Sequence, residues 1–149
     1  MTSQRSTIAR KRRRLSLAEH VLLAETLVTL ALASAAIKLV PFKTLTERVS
    51  RPPRRARRAA DLRRLRWAVD AWGRRVPWKA VCFQRALALQ AMLRRRGIPS
   101  VMHYGIARHS EEELKAHVWL SVDGATVIGV EQAPRFACVA TFPPAATDQ

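Results

Sequence analysis

A chain of 149 residues suits one domain around one modest core, and a hydrophobic share of 48% excludes a compositionally disordered protein. Two cysteines are too few for a disulfide-stapled secreted scaffold and fit free thiols in a reducing cytoplasm. Lys and Arg number 27 against 11 Asp and Glu, a formal net charge of +16 that favours an anionic partner, but no zinc-ligand spacing or RNA-binding aromatic motif accompanies it, so nucleic acid is not the expected ligand.

Residues 1–14 are polar and basic and read as a disordered tail, with no convincing signal-peptide cleavage site after the apolar stretch that follows. Ser16-Leu-Ala-Glu19 is a capping box: the Ser hydroxyl accepts from the amide three residues on, and the Glu reaches back. A helix therefore starts near Ser16 and ends at Pro41. Its stretch Val21 to Val40 is strongly apolar, yet Glu25 and Lys38 interrupt it. The uncharged run from Thr26 to Ile37 falls short of the roughly 20 residues that span a bilayer. A buried or interfacial helix is the expectation. The basic run Lys11–Arg14 favours contact with anionic lipid, which would make the protein cytoplasmic and peripheral to the inner membrane face. Arg51-Pro-Pro-Arg54 is a break, so residues 15–56 form an N-terminal helical segment and residues 57–149 the remaining core.

Leu62, Leu65, Val69 and Trp72 recur at three- and four-residue spacing and predict a second helix, ended by Gly73. A third is predicted from Lys79 to Arg96, with a broad apolar face of Ala86, Leu87, Leu89, Met92 and Leu93. Gly97 is its C-cap and Pro99 prevents continuation. The period then changes. Val101 to Ala107 reads as a strand, His109 to Glu113 as a polar loop, and Ala116 to Val122 as a strand. Asp123-Gly124 is a hairpin turn, Thr126 to Glu131 the returning strand, and Phe136 to Phe142 a last one. Helices followed by strands predict an α+β fold, with helices packed on a small antiparallel sheet.

The chemistry concentrates at Cys82 and His117. Cys82 lies in the first turn of the third helix, where free amides and the helix dipole stabilise a thiolate, with Lys79 and Arg85 nearby. The bland alternative is a small core cysteine. His117 begins a strand between Ala116 and Val118, and a thiol nucleophile needs a base to take its proton and return it to the leaving amine. A helix-borne Cys followed by a strand-borne His is the layout of papain-like and transglutaminase-like folds. His103, on the preceding strand, is the rival base, while Cys138 has no base in view. For the third group, Asp123 lies roughly 20 Å along the strand from His117, whereas a three-residue Asp123-Gly124-Ala125 loop would set Glu131 directly opposite. Glu131 is therefore the expected orienting acid. Zinc is disfavoured because no Cys or His pair has metal-site spacing, and no cofactor is expected.

Val76-Pro-Trp-Lys-Ala-Val-Cys82, Arg85-Ala-Leu-Ala-Leu-Gln90, Leu93-Arg-Arg-Arg-Gly-Ile-Pro99, Ala116-His-Val-Trp and Val122-Asp-Gly124 together resemble the protease half of the lasso peptide B proteins. The resemblance spans about Arg57 to Phe142. It implies a transglutaminase-like cysteine protease fold and a Cys-His-Asp triad, of which Cys82 and His117 carry over directly. Where the family has its Asp, after a Val-x-Gly-like stretch, this chain has Val127-Ile-Gly-Val130-Glu131. It further implies an oxyanion hole using the Cys82 amide, with Trp78 a candidate second donor. The implied function is removal of the leader from a ribosomally made precursor peptide, whose freed amine a lasso cyclase then joins to an acidic side chain. Because the first 75 residues read as helices and a basic tail, the resemblance implies the split form, working with a separate leader-recognition protein. Two other functions stay open: an amide-forming acyltransferase on the same Cys-His site, and a non-catalytic basic adaptor.

Overall fold

The computed structural model describes residues 14–54, 59–108 and 113–144. The expected capping box is formed: Glu19 N–H donates to Ser16 Oγ at 3.2 Å and Ser16 N–H to Glu19 Oε2 at 2.8 Å. It opens α1, Leu17–Leu39, and Pro41 follows its end as the sequence predicts. Beyond Pro41 the chain forms a helix that was not expected, α2, Phe42–Ser50. Its signal is present in hindsight, since Phe42, Leu45 and Val49 keep helical spacing and Pro is tolerated at a helix start. Asp61 caps α3, Leu62–Gly73, by accepting from the amides of Arg63 and Arg64. α4 is Cys82–Arg95, beginning three residues later than the apolar pattern suggests.

The strands are β1, Val101–Arg108; β2, Leu114–Val122; β3, Ala125–Ile128; and β4, Ala137–Phe142. They form one antiparallel sheet in the order β3-β2-β1-β4. The fold is α+β, as the sequence predicts, with four α-helices and a small four-stranded sheet among the described residues. The loop expected at 109–113 and the tail at 1–14 fall, except for Glu113 and Arg14, outside the described residues, as does the segment boundary at 56/57. The helices on either side of that boundary share a single core: Leu30, Ala33 and Leu45 pack in one cluster with Leu65, Leu89, Met92, Val118 and Leu120. Polar ties reinforce this packing. Trp72 Nε1–H donates to Leu23 O at 2.8 Å, and Glu25 of α1 meets Arg95 of α4 at 3.1 Å and Arg96, the C-cap of α4, at 2.6 Å.

The β2–β3 hairpin differs from expectation in its details. Val122 faces Ala125, so the turn is the two residues Asp123 and Gly124, with φ of +50° and +80°. Left-handed φ at both positions is the combination that Asp-Gly supplies most readily in tight hairpins. An irregularity between Leu120 and Ser121 then shifts the register so that Leu120 faces Ile128. The ladder ends there, three residues before Glu131, because the chain turns at Gly129 with φ of +81°.

Candidate active site

The loop between α3 and α4 fixes where the fourth helix begins. Arg85, one turn into α4, reaches back: its Nε–H donates to Ala80 O at 2.9 Å and its Nη2–H to Gly73 O at 2.9 Å. A side chain on residue 73 would collide with that guanidinium, which accounts for the glycine. Val81 is then the N-cap and Cys82 the first helical residue. Valine has no side-chain acceptor, and no side chain caps the helix. The first-turn amides therefore remain free of side-chain partners, at the end where the dipole favours negative charge. Cys82 itself is a half-exposed free thiol.

His117 stands on β2 and is only 7% exposed. Its ring lies between Phe136, at 5.2 Å, and Trp119, at 6.1 Å. Room for Trp119 comes from β1: a Cβ on Gly105, which faces His117 across the ladder, would sit 2.6 Å from the indole. His117 Nε2 lies 3.1 Å from Gly129 O. A carbonyl can only accept, so Nε2 carries the proton and a neutral ring keeps its lone pair on Nδ1.

Cys82 and His117 line one cleft of about 460 Å³, together with Arg66 and Asp70 of α3, Arg74 just after it, Arg85 of α4, and Gly129, Glu131 and Gln132 of the turn after β3. Glu131 is on the cleft rim but not opposite His117. It lies in the turn, with its side chain 71% exposed and Oε1 2.8 Å from Arg66 Nη2; Asp70 Oδ2 is 3.5 Å from Arg66 Nε. A hydrogen bond from its own backbone amide, and then the Arg66 guanidinium, hold the Glu131 carboxyl below its ordinary range. The expected Glu131–His117 contact is thus replaced by the Gly129 carbonyl, because the chain leaves the sheet at Gly129. Asp123 sits in the hairpin turn, as expected. Trp78 is committed elsewhere than the oxyanion position: its Nε1–H donates to Ser34 Oγ at 3.0 Å.

A second Cys-His pair corrects the expectation that Cys138 lacks a base. Cys138 Sγ lies 3.9 Å from His103 Nδ1, and His103 Nε2 lies 2.8 Å from Ser121 Oγ. Trp119 stacks on His103 at 5.4 Å, so the two histidines flank one indole. Burial lowers the His103 pKa, which makes its ring a weaker base. Cys138 is exposed on the edge strand β4 rather than on a helix, and neither residue lines the cleft that holds Cys82.

The family model of the transglutaminase-like superfamily matches residues 26–141. The chain belongs to the transglutaminase-like superfamily. The match starts within α1 and runs into β4, so it takes in both N-terminal helices as well as the region from Arg57 onward. Neither a curated protein nor a solved structure matches the chain. Membership of this superfamily points to cysteine peptidase or acyltransferase chemistry. Among the described residues, no three His, Cys, Asp or Glu side chains group to hold a metal ion.

Proposed function

We propose that this transglutaminase-like chain is a cysteine peptidase that removes the leader from a ribosomally made lasso-type precursor, with Cys82 as nucleophile and His117 as base. The observation that carries the reading is a helix-start thiol and a buried imidazole on the wall of one cleft, the imidazole held by Gly129 O so that Nδ1 is its free basic nitrogen. In the proposed cycle, Nδ1 takes the Cys82 proton and the thiolate attacks the scissile carbonyl. The oxyanion forms beside the uncapped first-turn amides of α4, beginning with that of Cys82. His117 passes its proton to the leaving amine, giving a thioester to the leader. Water, deprotonated by His117, then releases the leader acid and the thiol. The Gly129 carbonyl takes the orienting role that a carboxylate has in other triads.

Cleavage of a candidate precursor by purified variants tests this. Cys82→Ala and His117→Ala are expected to lose detectable cleavage while keeping the wild-type circular dichroism, and Cys138→Ser and His103→Gln to cleave within about twofold of wild type. The 3.9 Å contact gives the Cys138–His103 pair a claim of its own, so an inactive Cys138→Ser beside an active Cys82→Ala would transfer the chemistry to β4. Adding a primary amine separates hydrolysis from acyl transfer: mass spectrometry reports a free leader acid in the first case and an amide in the second.

A further inference from the structure

We propose that the outward face of α1 seats the protein on an anionic lipid surface, a role separate from the cleft chemistry. The helix is apolar on both sides. Thr26, Leu30 and Ala33 turn into the core, while Leu17, Val21, Val28, Leu32 and Leu39 share the opposite face and are between 59% and 82% exposed. At a rise of about 1.5 Å per residue, that face is a ridge on the order of 35 Å long. Isolated exposed leucines are ordinary on a soluble protein, but a continuous apolar ridge marks an interaction surface.

Charge decides what the ridge meets. α1 contains two carboxylates, and neither is left for the outer face: Glu19 closes the capping box, and Glu25 is held by Arg95 and Arg96. Cations stand at both ends. Arg10-Lys-Arg-Arg-Arg14 precede the helix in the sequence, Lys38 lies in its last turn, and Lys43 follows in α2. With its inner face buried in the protein, an apolar ridge free of acids and flanked in sequence by cations fits the boundary of an anionic leaflet, where apolar side chains enter the acyl layer and the cations meet headgroups. Each Lys or Arg close to an anionic leaflet adds about 1 kcal/mol. Beside the ridge, Ala31, Ala35, Lys38, Leu39 and Trp78 form a shallow apolar groove of about 370 Å³.

By length and composition α1 could also cross a bilayer. Its inner side argues for lying on the membrane. Thr29 Oγ1 accepts from Arg95 at 2.6 Å and Leu23 O from Trp72 at 2.8 Å, and Leu30 is fully buried in the core, so extraction into lipid would break all of these contacts.

The test is co-sedimentation of the full chain with vesicles of phosphatidylcholine alone or with roughly one third phosphatidylglycerol. Wild type should pellet with the anionic vesicles only and be released by high salt or carbonate. Val28→Glu with Leu32→Glu should weaken binding by at least about tenfold with an unchanged circular dichroism spectrum. Leu17→Glu with Val21→Glu, at the exposed first turns, should do the same should the first pair unfold. The proposal is overturned if wild type stays in the supernatant, as it would were the ridge a seat for a soluble protein. It is equally overturned if both ridge variants bind as wild type does, or if carbonate fails to release the protein, which would mean that α1 spans the bilayer.

Discussion

Gly129 is the residue on which the proposed site turns. Its φ of +81° is left-handed, and a Cβ there would lie 2.8 Å from Trp119 Cβ and 3.0 Å from His117 Nε2. Gly129→Ala should therefore cost about 1–3 kcal/mol of stability through backbone strain. It should also lower kcat/KM by about a hundredfold, since displacement of a catalytic group by about 1 Å carries that penalty. Urea unfolding and precursor cleavage measure the two effects. Near-normal cleavage in a folded Gly129→Ala protein would remove Gly129 O from the orienting role. The placement of Cys82 at a helix start and of His117 on a strand was legible in the sequence, because it needs only local capping, period and turn signals. The partner of His117 was not legible, because Val127-Ile-Gly-Val130-Glu131 reads as a continuous strand when Gly129 is ignored. An isolated glycine in a strand pattern is itself a sign of a bend or a close approach, and here it is both.

Among the elements, the contact between α3 and the turn after β3 is the one that would bear on rate under the proposed function. Arg66 and Glu131 join the two across the cleft rim, and the turn they hold carries Gly129 O. The pair is exposed, so solvent screening keeps it weak, within about 1 kcal/mol. Glu131→Arg should slow cleavage by a few-fold, chiefly in kcat, and Arg66→Glu in the same chain should restore it. A loss of several orders of magnitude from Glu131→Gln would instead make Glu131 the orienting acid. Glu25 ties α1 to α4 more firmly. Its hydrogen bond from Arg96, followed by the charges of Arg96 and Arg95, lowers its pKa below the ordinary 4.5 despite desolvation. A depressed folded-state pKa contributes stability that is fully present above the unfolded value and is lost as pH falls through the folded one. Glu25→Gln should thus destabilise the protein by about 1 kcal/mol at neutral pH, and the gap from wild type should close as pH drops below 4.5. Denaturation midpoints at the two ends of that range check it. At this scale the capping box opened α1 and Asp-Gly turned the hairpin as the sequence predicts, whereas α2 was missed although Phe42, Leu45 and Val49 keep helical spacing. The sequence misled at Lys79-Ala-Val81, which reads as the start of the helix: Arg85 folds back to bond Ala80 O and Gly73 O, and α4 starts at Cys82.

Across the whole molecule, the N-terminal helices pack into the same core as the sheet and fall largely within the superfamily match. α1 and α2 supply Leu30, Ala33 and Leu45 to the cluster that also holds Leu89 and Leu120. The resemblance to the lasso peptide B proteins implies a separate leader-recognition protein, which would present the scissile bond at high effective concentration. Adding a leader-binding partner should raise cleavage by at least about tenfold at low micromolar precursor, and the gain should shrink as salt rises. Full-rate cleavage by this chain alone would refute the split arrangement. The strand order β3-β2-β1-β4 has a consequence for how the chain is made. β1 lies inside the sheet only because β4 covers its outer side, and β4 is synthesised after the other three described strands. Until Ala137–Phe142 has left the ribosome, one row of β1 backbone donors and acceptors stays open. An open strand edge invites pairing with another chain. Chains stopped short of β4 should therefore aggregate through β1, even though both cleft residues lie upstream of the missing strand.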